Sequence, residues 1–600
     1  MRVRLILALI GLLFLMFPGL TPASSQASAA QTAASSRFDG PAELPRVYVK
    51  SSLADTPATG RVHLVKQGDN LQQAIDRANC GDTLALQAGA VFQGSFLFPQ
   101  KPCDDAHWII VRTSSDSELP PEGTRITPCY AGIASLPGRP DFRCPSVRNV
   151  MAKLELTAEN GSGPIEFAEG ANHYRFIGLE ITRAPNPSIT ALAFRKSQGH
   201  VHHIVFDRVW MHGTAQDETA RGIALQGMTD IAVVDSFFSD FHCVAMTGSC
   251  TDAQTMGSTG GHEPGGPYKI VNNFLEASGE NILFGGGPAT NTPSDIEIRR
   301  NHLFKPLTWR RGNPEFVGGK SGRPFIVKNH FELKNAQRVL FEGNVLENVW
   351  GGFSQAGFSI LLTPKNQANK CPACRVTDVT IRYNKIINVG SVLQISNGRS
   401  DAGGQSQGGE RYSIHDLVVS QVRAQDNDSF GIFALIGSHS PPLKDVSIQH
   451  VTAFVPRAIF SISSPAEQKM ENFTISNNIL GTSFDRQIGS PGGGRRNCSF
   501  RPDKQGPGGV LESCFANLKF ERNLIIGLGN WPRNNIVVKD AAAAGLAEMR
   551  EGDKHYFSLC RQKDEGSSCK KLSPALAAGS DGRDIGADTA AVEKATAGVV

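Results

Sequence analysis

The chain repeats an octet of the form Φ-x-Φ-x-x-N-x-Φ, where Φ is apolar. The clearest copies are "IEIRRNHL" (296–303), "VLFEGNVL" (339–346), "VTIRYNKI" (379–386), "FTISNNIL" (473–480) and "LKFERNLI" (518–525), with "YKIVNNFL" (268–275) beside them. Weaker copies replace the Asn: "YRFIGLEI" (174–181), "IVFDRVWM" (204–211), "IAVVDSFF" (231–238), "LVVSQVRA" (417–424) and "VSIQHVTA" (446–453). The sixth position then runs Leu179, Val209, Ser236, Asn273, Asn301, Asn344, Asn384, Val422, Val451, Asn478 and Asn523, at intervals of 30, 27, 37, 28, 43, 40, 38, 29, 27 and 45. A floor near 28 residues with additions on top is one coil of a solenoid plus loop insertions. Each octet opens with the alternation of a strand and bends at its Asn, which tolerates unusual backbone angles and bonds its own main chain. Stacked coil on coil, such Asn side chains are placed to bond one another. Helical periodicity is absent between 165 and 530.

A second strand recurs between octets, in "IALQG" (223–227), "ILFGG" (282–286), "FELKN" (331–335), "FSILL" (358–362), "VLQIS" (392–396) and "AIFSI" (458–462). In "GIALQGMTDIAVVDS" and "HFELKNAQRVLFEGN" it precedes the octet by the same offset, which aligns Glu332 with Ala224 and Lys334 with Gln226. Coils of strand, bend, strand and turn, none of which buries its apolar face alone, predict an all-β fold: a parallel β-helix. The 62 Gly and 34 Pro suit such a turn-rich chain.

The N-terminus reads as an export signal over residues 1–29. "MRVR" is a basic start, "LILALIGLLFLMF" (5–17) a short apolar core, and "ASA" (27–29) a small-residue cleavage site. Thirteen apolar residues are short for a membrane span. Residues 30–60 read as a linker and 591–600 as a disordered tail. Twelve cysteines fit an oxidising compartment. Proximity suggests the pairs Cys80/Cys103, Cys129/Cys144, Cys243/Cys250, Cys371/Cys374, Cys498/Cys514 and Cys560/Cys569, although connectivity does not follow from sequence. "CPAC" (371–374) reads as a loop staple in preference to a redox or zinc motif, because it has no second CxxC. The formal charge is +4, of which Arg2 and Arg4 lie in the leader. No basic block interleaves with aromatics, which excludes nucleic acid as the expected partner.

The octets resemble those of the right-handed parallel β-helix superfamily of pectate lyase-like proteins, and so do both ends of the chain. "GDNLQQAIDRANCGDTLALQAGAVFQGSF" (68–96) resembles the family's N-terminal cap, with Leu71, Ala74, Ile75 and Ala78 on one face of a short helix over 70–79. "SPALAAGSDGRDIGAD" (573–588) resembles a closing motif of bacterial members. The resemblance implies one single-stranded right-handed β-helix from 61 to 590, with a cap helix and long loops on one face. It says little about activity, because the fold hosts lyases, hydrolases, epimerases and binding proteins.

The longest additions to the coil are 242–267, 305–324, 363–375 and 397–411, which are rich in Gly, Lys, Arg, Asn and Gln. Such insertions gather on one face and can wall a cleft for an extended polar ligand. Within them, "HFELKN" (330–335) sets Phe331 and Leu333 inward and Glu332 and Lys334 outward, about 7 Å apart along the strand. The neighbouring outward positions, Ala224, Gln226, Gly285 and Gln394, are small or polar. Cleaving a uronate by β-elimination needs a cation to neutralise the carboxylate and a base to take the adjacent proton. Glu followed by Lys and an octet resembles the chondroitinase B and alginate lyase branch. That resemblance implies Glu332 as a calcium ligand and Lys334 as the base, with calcium the cation. His330 stands where the branch offers a second carboxylate, and Arg338, Arg323 and Arg310 all compete for the catalytic arginine.

Glu280 and Asn281 are further metal candidates or simply a Gly-Glu-Asn turn. Trp309 with Arg310 stacks on a sugar and clamps its carboxylate, or packs a loop. Lys365 is placed to line the same cleft. The histidines at 200, 202, 203 and 212 lack metal-ligand spacing and read as structural. The expectation is an exported, monomeric enzyme acting on an acidic polysaccharide, with no membrane span once the leader is removed. The alternative is a non-catalytic glycan-binding or cell-surface β-helix. A polygalacturonase is disfavoured by the lack of clustered Asp pairs and of an Arg-x-Lys motif.

Overall fold

Strands one coil apart lie side by side, and their ladders in the two large sheets are all parallel. The structure, a computed structural model, describes residues 37–600 except 143, 159, 186–187, 245–249, 259, 353–354, 425–427, 483, 485, 491, 493, 501–505, 552–553 and 564–568. The expected export signal lies outside the described residues. Contacts divide the chain at Phe38, and the coils belong to Asp39–Val600. One register line joins Tyr174, Ile204, Ile231, Tyr268, Ile296, Val339, Val379, Tyr412, Val446 and Phe473. With one exception these are the first positions of the octets. Parallel neighbours joined by crossovers take the right-handed path, so the chain winds as a right-handed parallel β-helix. Its strands run from Val62–Val65 to Ile536–Val538. The cap helix Leu71–Arg77 precedes the coils, with Asn70 accepting from the Gln73 amide and Leu71 and Ile75 buried.

The exception is the coil after Asn384. Its strand, Gly408–Val422, is continuous, and Lys385 faces Val418, which puts Leu417 rather than Val422 opposite Asn384. The octet there is "YSIHDLVV" (412–419). Where Asn is missing, apolar alternation alone fits two frames of one long strand.

The bend works as the octets imply. The main-chain N–H of Asn273, Asn301 and Asn344 each donates to the next Asn side chain, Asn301, Asn344 and Asn384, at 2.9, 2.9 and 2.8 Å. Each Nδ2 donates to the same Oδ1, at 3.0, 3.1 and 3.1 Å, and to a main-chain carbonyl of the core strands. Asn478 and Asn523 repeat this, and Asn535 adds a rung. The residue before each Asn holds the left-handed conformation, as at Asn272, Arg300, Gly343, Tyr383, Asn477 and Arg522.

A 13-stranded sheet carries the second strands. Its register line is Ile223, Met256, Ile282, Phe331, Ile360, Leu393, Ala434, Phe460 and Ile488. Ala224, Gly257, Leu283, Glu332 and Leu361 form the next column, so the alignment of Glu332 with Ala224 holds. Gln254–Ser258 is a strand of this sheet, although it lies in the segment 242–267 expected to be loop. Its sequence, QTMGS, has only Met256 to mark it. Long insertions leave both edges of the sheet, at 242–253 and 305–330 on entry and at 363–374 and 398–407 on exit. All six cysteine pairs form as proximity suggested.

The two end segments differ from expectation. Residues 39–57, expected to be linker, run along the outside of the coils. Asp39 pairs with Arg382 and His415, the Glu43 amide donates to Asp378, the Arg46 amide to Asp295, and Arg175 donates to Ser51 O and Thr56 Oγ1. The closing motif turns back along the bends, where Asp581 meets His450 and the Asp588 amide donates to Asp416. The expected disordered tail is a helix, Thr589–Thr596, with Val592 and Val599 buried. Arg125 and Arg300 donate to its last carbonyls. Apolar residues every few positions give both ends a face to bury, which composition alone did not reveal.

Candidate functional site

Phe331 and Leu333 are fully buried in the solenoid core. Glu332 leaves the other side of their strand, Phe331–Leu333, and Lys334 follows in the bend just past its end. Insertions close over that side, so Glu332 is only 1% exposed, against 18% for the Lys334 side chain. The two meet at 3.3 Å (Nζ–Oε1). Glu332 also accepts from Asn329 Nδ2 at 3.1 Å and Thr363 Oγ1 at 3.3 Å. Expected as an exposed pair, they are a largely enclosed one.

Around them the second sheet gathers groups from three coils. Arg221, Gln254 and Glu280 sit at successive coil entries: Arg221 donates to Gln254 Oε1 at 3.1 Å, and Gln254 to Glu280 Oε2 at 3.3 Å. Lys328 pairs with Asp252 and lies 3.5 Å from Glu280 Oε1. Burial penalises every charge here, and the neighbours decide the outcome. For Lys334, burial works against the ammonium, but Glu332, Glu280 and Asp252 outweigh it and hold its pKa above that of an ordinary lysine. Glu280 is fully enclosed, and burial pushes its carboxyl up despite Lys328. Glu280 Oε1 and Asn329 Oδ1 are buried without a hydrogen-bond partner. Glu332, Glu280 and Asn329 thus offer hard oxygens of the type that calcium takes.

Three expected site residues lie elsewhere. Asn281 Nδ2 donates to Leu275 O and Phe304 O, and its Oδ1 accepts from Lys305, so it belongs to a turn and not to a metal site. Arg338 makes a two-point pair with Asp295, at 2.7 and 3.0 Å, in the column of left-handed residues under the N-terminal segment. Trp309 borders the cleft of Arg310 but is 1% exposed, packed edge-on against Phe325 and His242 and covered by Arg139 at 5.6 Å, so it has almost no open face for a sugar. Arg139 comes from a separate insertion and also binds Asp240 and Glu276, which no local pattern around Trp309 announces.

Arg310 and Arg311 line a cleft of about 260 Å³ with Phe325, Trp350 and Asp428. It lies at the entry end of the strand that carries Lys334, and Val327, seven residues before Lys334, lines it too. Arg323 is exposed on the same loop. Lys365 is close to the pair: its amide donates to Lys334 O at 3.3 Å and its ammonium reaches Asp401 at 3.2 Å.

Sequence reasoning missed Lys328, Asp252, Gln254, Arg221 and the buried Lys305. Recognising Gln254–Ser258 as a strand would have aligned Gln254 with Arg221. Asp252 and Lys328 stand 76 residues apart and had no local signal. Lys305 donates to Ala277 O, Gly279 O and Asn281 Oδ1, and burial brings its pKa down to about 7.

No family model and no curated protein matches this chain. Among solved structures it is similar to an alginate lyase from Paenibacillus sp. (11% identity, 72% of this chain, 96% of that one, TM-score 0.27). It is similar to pectate lyase Pel9A (11%, 89% and 97%, TM-score 0.34) and to the polysaccharide lyase Pedsa3628 of the PL6 family from Pseudopedobacter saltans (13%, 85% and 98%, TM-score 0.38). Likenesses this remote carry no argument about chemistry. The strand registers themselves make the chain a right-handed parallel β-helix protein.

Proposed function

We propose that this is an exported, monomeric polysaccharide-active protein that takes a uronate-containing polymer across the second sheet and cleaves it by β-elimination at Lys334. The observation that carries the reading is the outward cluster of Glu332, Lys334, Glu280 and Asn329, roofed by insertions from both edges of the sheet, with two buried oxygens lacking partners. Lys334, the more accessible member of the pair, faces the substrate; as a neutral amine it takes the proton beside the carboxylate, the carbon–carbon double bond forms as the glycosidic C–O bond breaks, and the resulting ammonium can return the proton to the departing oxygen. Glu332 fixes the lysine, and Asn329 and Thr363 fix Glu332. Lys365 and the arginines 310 and 323 supply positive charge along the insertions for further uronates. Bound by Glu332, Glu280 and Asn329, calcium would neutralise the substrate carboxylate and the carboxylates that hold Lys334 protonated. The six disulfides fit an oxidising, extracytoplasmic address.

A second reading, glycan binding without cleavage, is favoured by one observation: Lys334 is held charged by its neighbours, and a charged lysine is no base. One experiment separates the two. The protein is incubated with uronate polymers, with and without calcium, while the ultraviolet absorbance of unsaturated ends is followed. Calcium-dependent absorbance that disappears in Lys334→Ala supports elimination. Calorimetric binding with no absorbance supports the second reading, and neither signal rejects both.

A further inference from the structure

Far from the second sheet, at the N-terminal coils, three side chains converge on one point. His173 Nε2 lies 3.2 Å from Asp105 Oδ1, and His203 Nε2 lies 3.7 Å from the same oxygen. The imidazoles are stacked with centroids 4.5 Å apart. Their backbones are pinned: both histidines hold the left-handed conformation, at φ 56° and 55°, in consecutive coils. Further along, the same column holds Asp230, Asp295, Arg338, Asp378, Arg411, Asp445 and Asn472. Histidine is among the types enriched in that conformation, and here it fills two successive rungs.

The hydrogen bonds fix the protons. Asn172 Nδ2 donates to Lys101 O and Gly170 O, so its Oδ1 is the free acceptor. His173 Nδ1 lies 2.7 Å from that oxygen and must carry the hydrogen. In the neutral ring, Nε2 then presents a lone pair to a carboxylate oxygen, an acceptor facing an acceptor. The same holds for His203 when its Nδ1 donates to His202 Nδ1, 2.8 Å away. Something positive belongs between these atoms: a proton on His173 or a metal ion. A proton on His173 leaves the His203 lone pair facing the same oxygen, whereas a dication answers both rings.

We propose that Asp105, His173 and His203 bind a first-row transition-metal dication, with zinc the best match to two imidazoles and one carboxylate. All three ligand atoms lie within 4.8 Å of one another. Asn172 and His202 hold the ring tautomers from behind, as outer partners of metal-bound histidines do. Asp105 is exposed, which leaves an entry path and an open coordination position. The site ties the 104–107 loop, next to the Cys80–Cys103 disulfide, to two coils, and so staples the capped end of the solenoid.

The test uses the full mature chain after chelator treatment, titrated with zinc alone by calorimetry and followed by thermal denaturation. One equivalent should bind and raise the melting temperature. Asp105→Asn, on an exposed loop, should weaken binding by about 10-fold, and His203→Asn, which keeps a residue tolerant of the left-handed backbone, by about 100-fold or more. Lys334→Ala should bind zinc as the parent does, which keeps this site separate from the second-sheet cluster. Absence of saturable zinc binding, or binding that both variants retain unchanged, overturns the proposal.

Discussion

The Asn ladder and the Glu332 cluster are both buried polar structures on neighbouring strands, and they are built on opposite terms. In the ladder each Asn344-type side chain uses its donor and acceptor capacity: Oδ1 takes two N–H groups from the preceding coil, and Nδ2 donates to a carbonyl of that coil and to the Asn Oδ1 of the next. The arrangement repeats because the coil repeats. In the cluster nothing repeats. Around Glu332 the column reads Ala224, Gly257, Leu283, Glu332, Leu361, and within that stretch a carboxylate appears once. Its surroundings leave Asn329 Oδ1 and Glu280 Oε1 without hydrogen-bond partners, although Lys328 lies 3.5 Å from the latter. Polar groups that recur with the coil hold the fold together. A polar group that breaks the column, beside oxygens left short of hydrogen bonds, is held there at a cost that stability does not explain.

The largest effect that would break this contrast is on the ladder. Asn344→Leu removes the acceptor of the Asn301 N–H and Nδ2 and the donor to Ile298 O. It should cost about 4 kcal/mol of unfolding free energy, at roughly 1–3 kcal/mol for each stranded group. A loss below about 1 kcal/mol in denaturant titration would mean that the ladder is ornamental.

Next comes the pair. Were it exposed, losing Lys334 would cost about 0–1 kcal/mol. Because Glu332 is buried, Lys334→Met should instead cost about 2–3 kcal/mol, since a carboxylate is left enclosed without its partner. The double variant Glu332→Gln/Lys334→Met should recover most of that loss, and a double variant as unstable as the single one would place the pair among the structural elements.

Smaller is the effect of Glu280→Gln, and pH reveals it. The Glu280 pKa is raised in the folded state by burial. Its contribution is therefore fully present below the ordinary carboxylate range and is lost as pH rises through the folded value. The parent should lose stability relative to the variant as pH climbs from about 4.5. A stability difference that stays flat with pH would place the ionised carboxylate in a satisfied site. Smallest of all is Asn79→Ala, an exposed Asn outside the ladder, which should stay within about 0.5 kcal/mol of the parent.

The sequence determined the coil. Apolar alternation, Asn at the bend and the recurrence interval are local or periodic properties, and each pointed to the same parallel stacking. The cap helix and the cysteine pairs followed for the same reason, being contacts between residues close along the chain. The one octet set in the wrong frame was a coil whose Asn had been replaced by Leu417. Alternation also gave the side on which Glu332 emerges.

What covers that side was decided only in three dimensions. Glu332 is buried because insertions from other coils fold over it, and Trp309 is buried because Arg139 arrives from 170 residues away. The terminal segments lie along the coils instead of hanging free, and Asp105 meets His173 and His203 although no spacing links them. A strand period fixes the direction of a side chain. It carries no information about the neighbour supplied by a distant loop, and burial, protonation and ligand-binding capacity all depend on that neighbour.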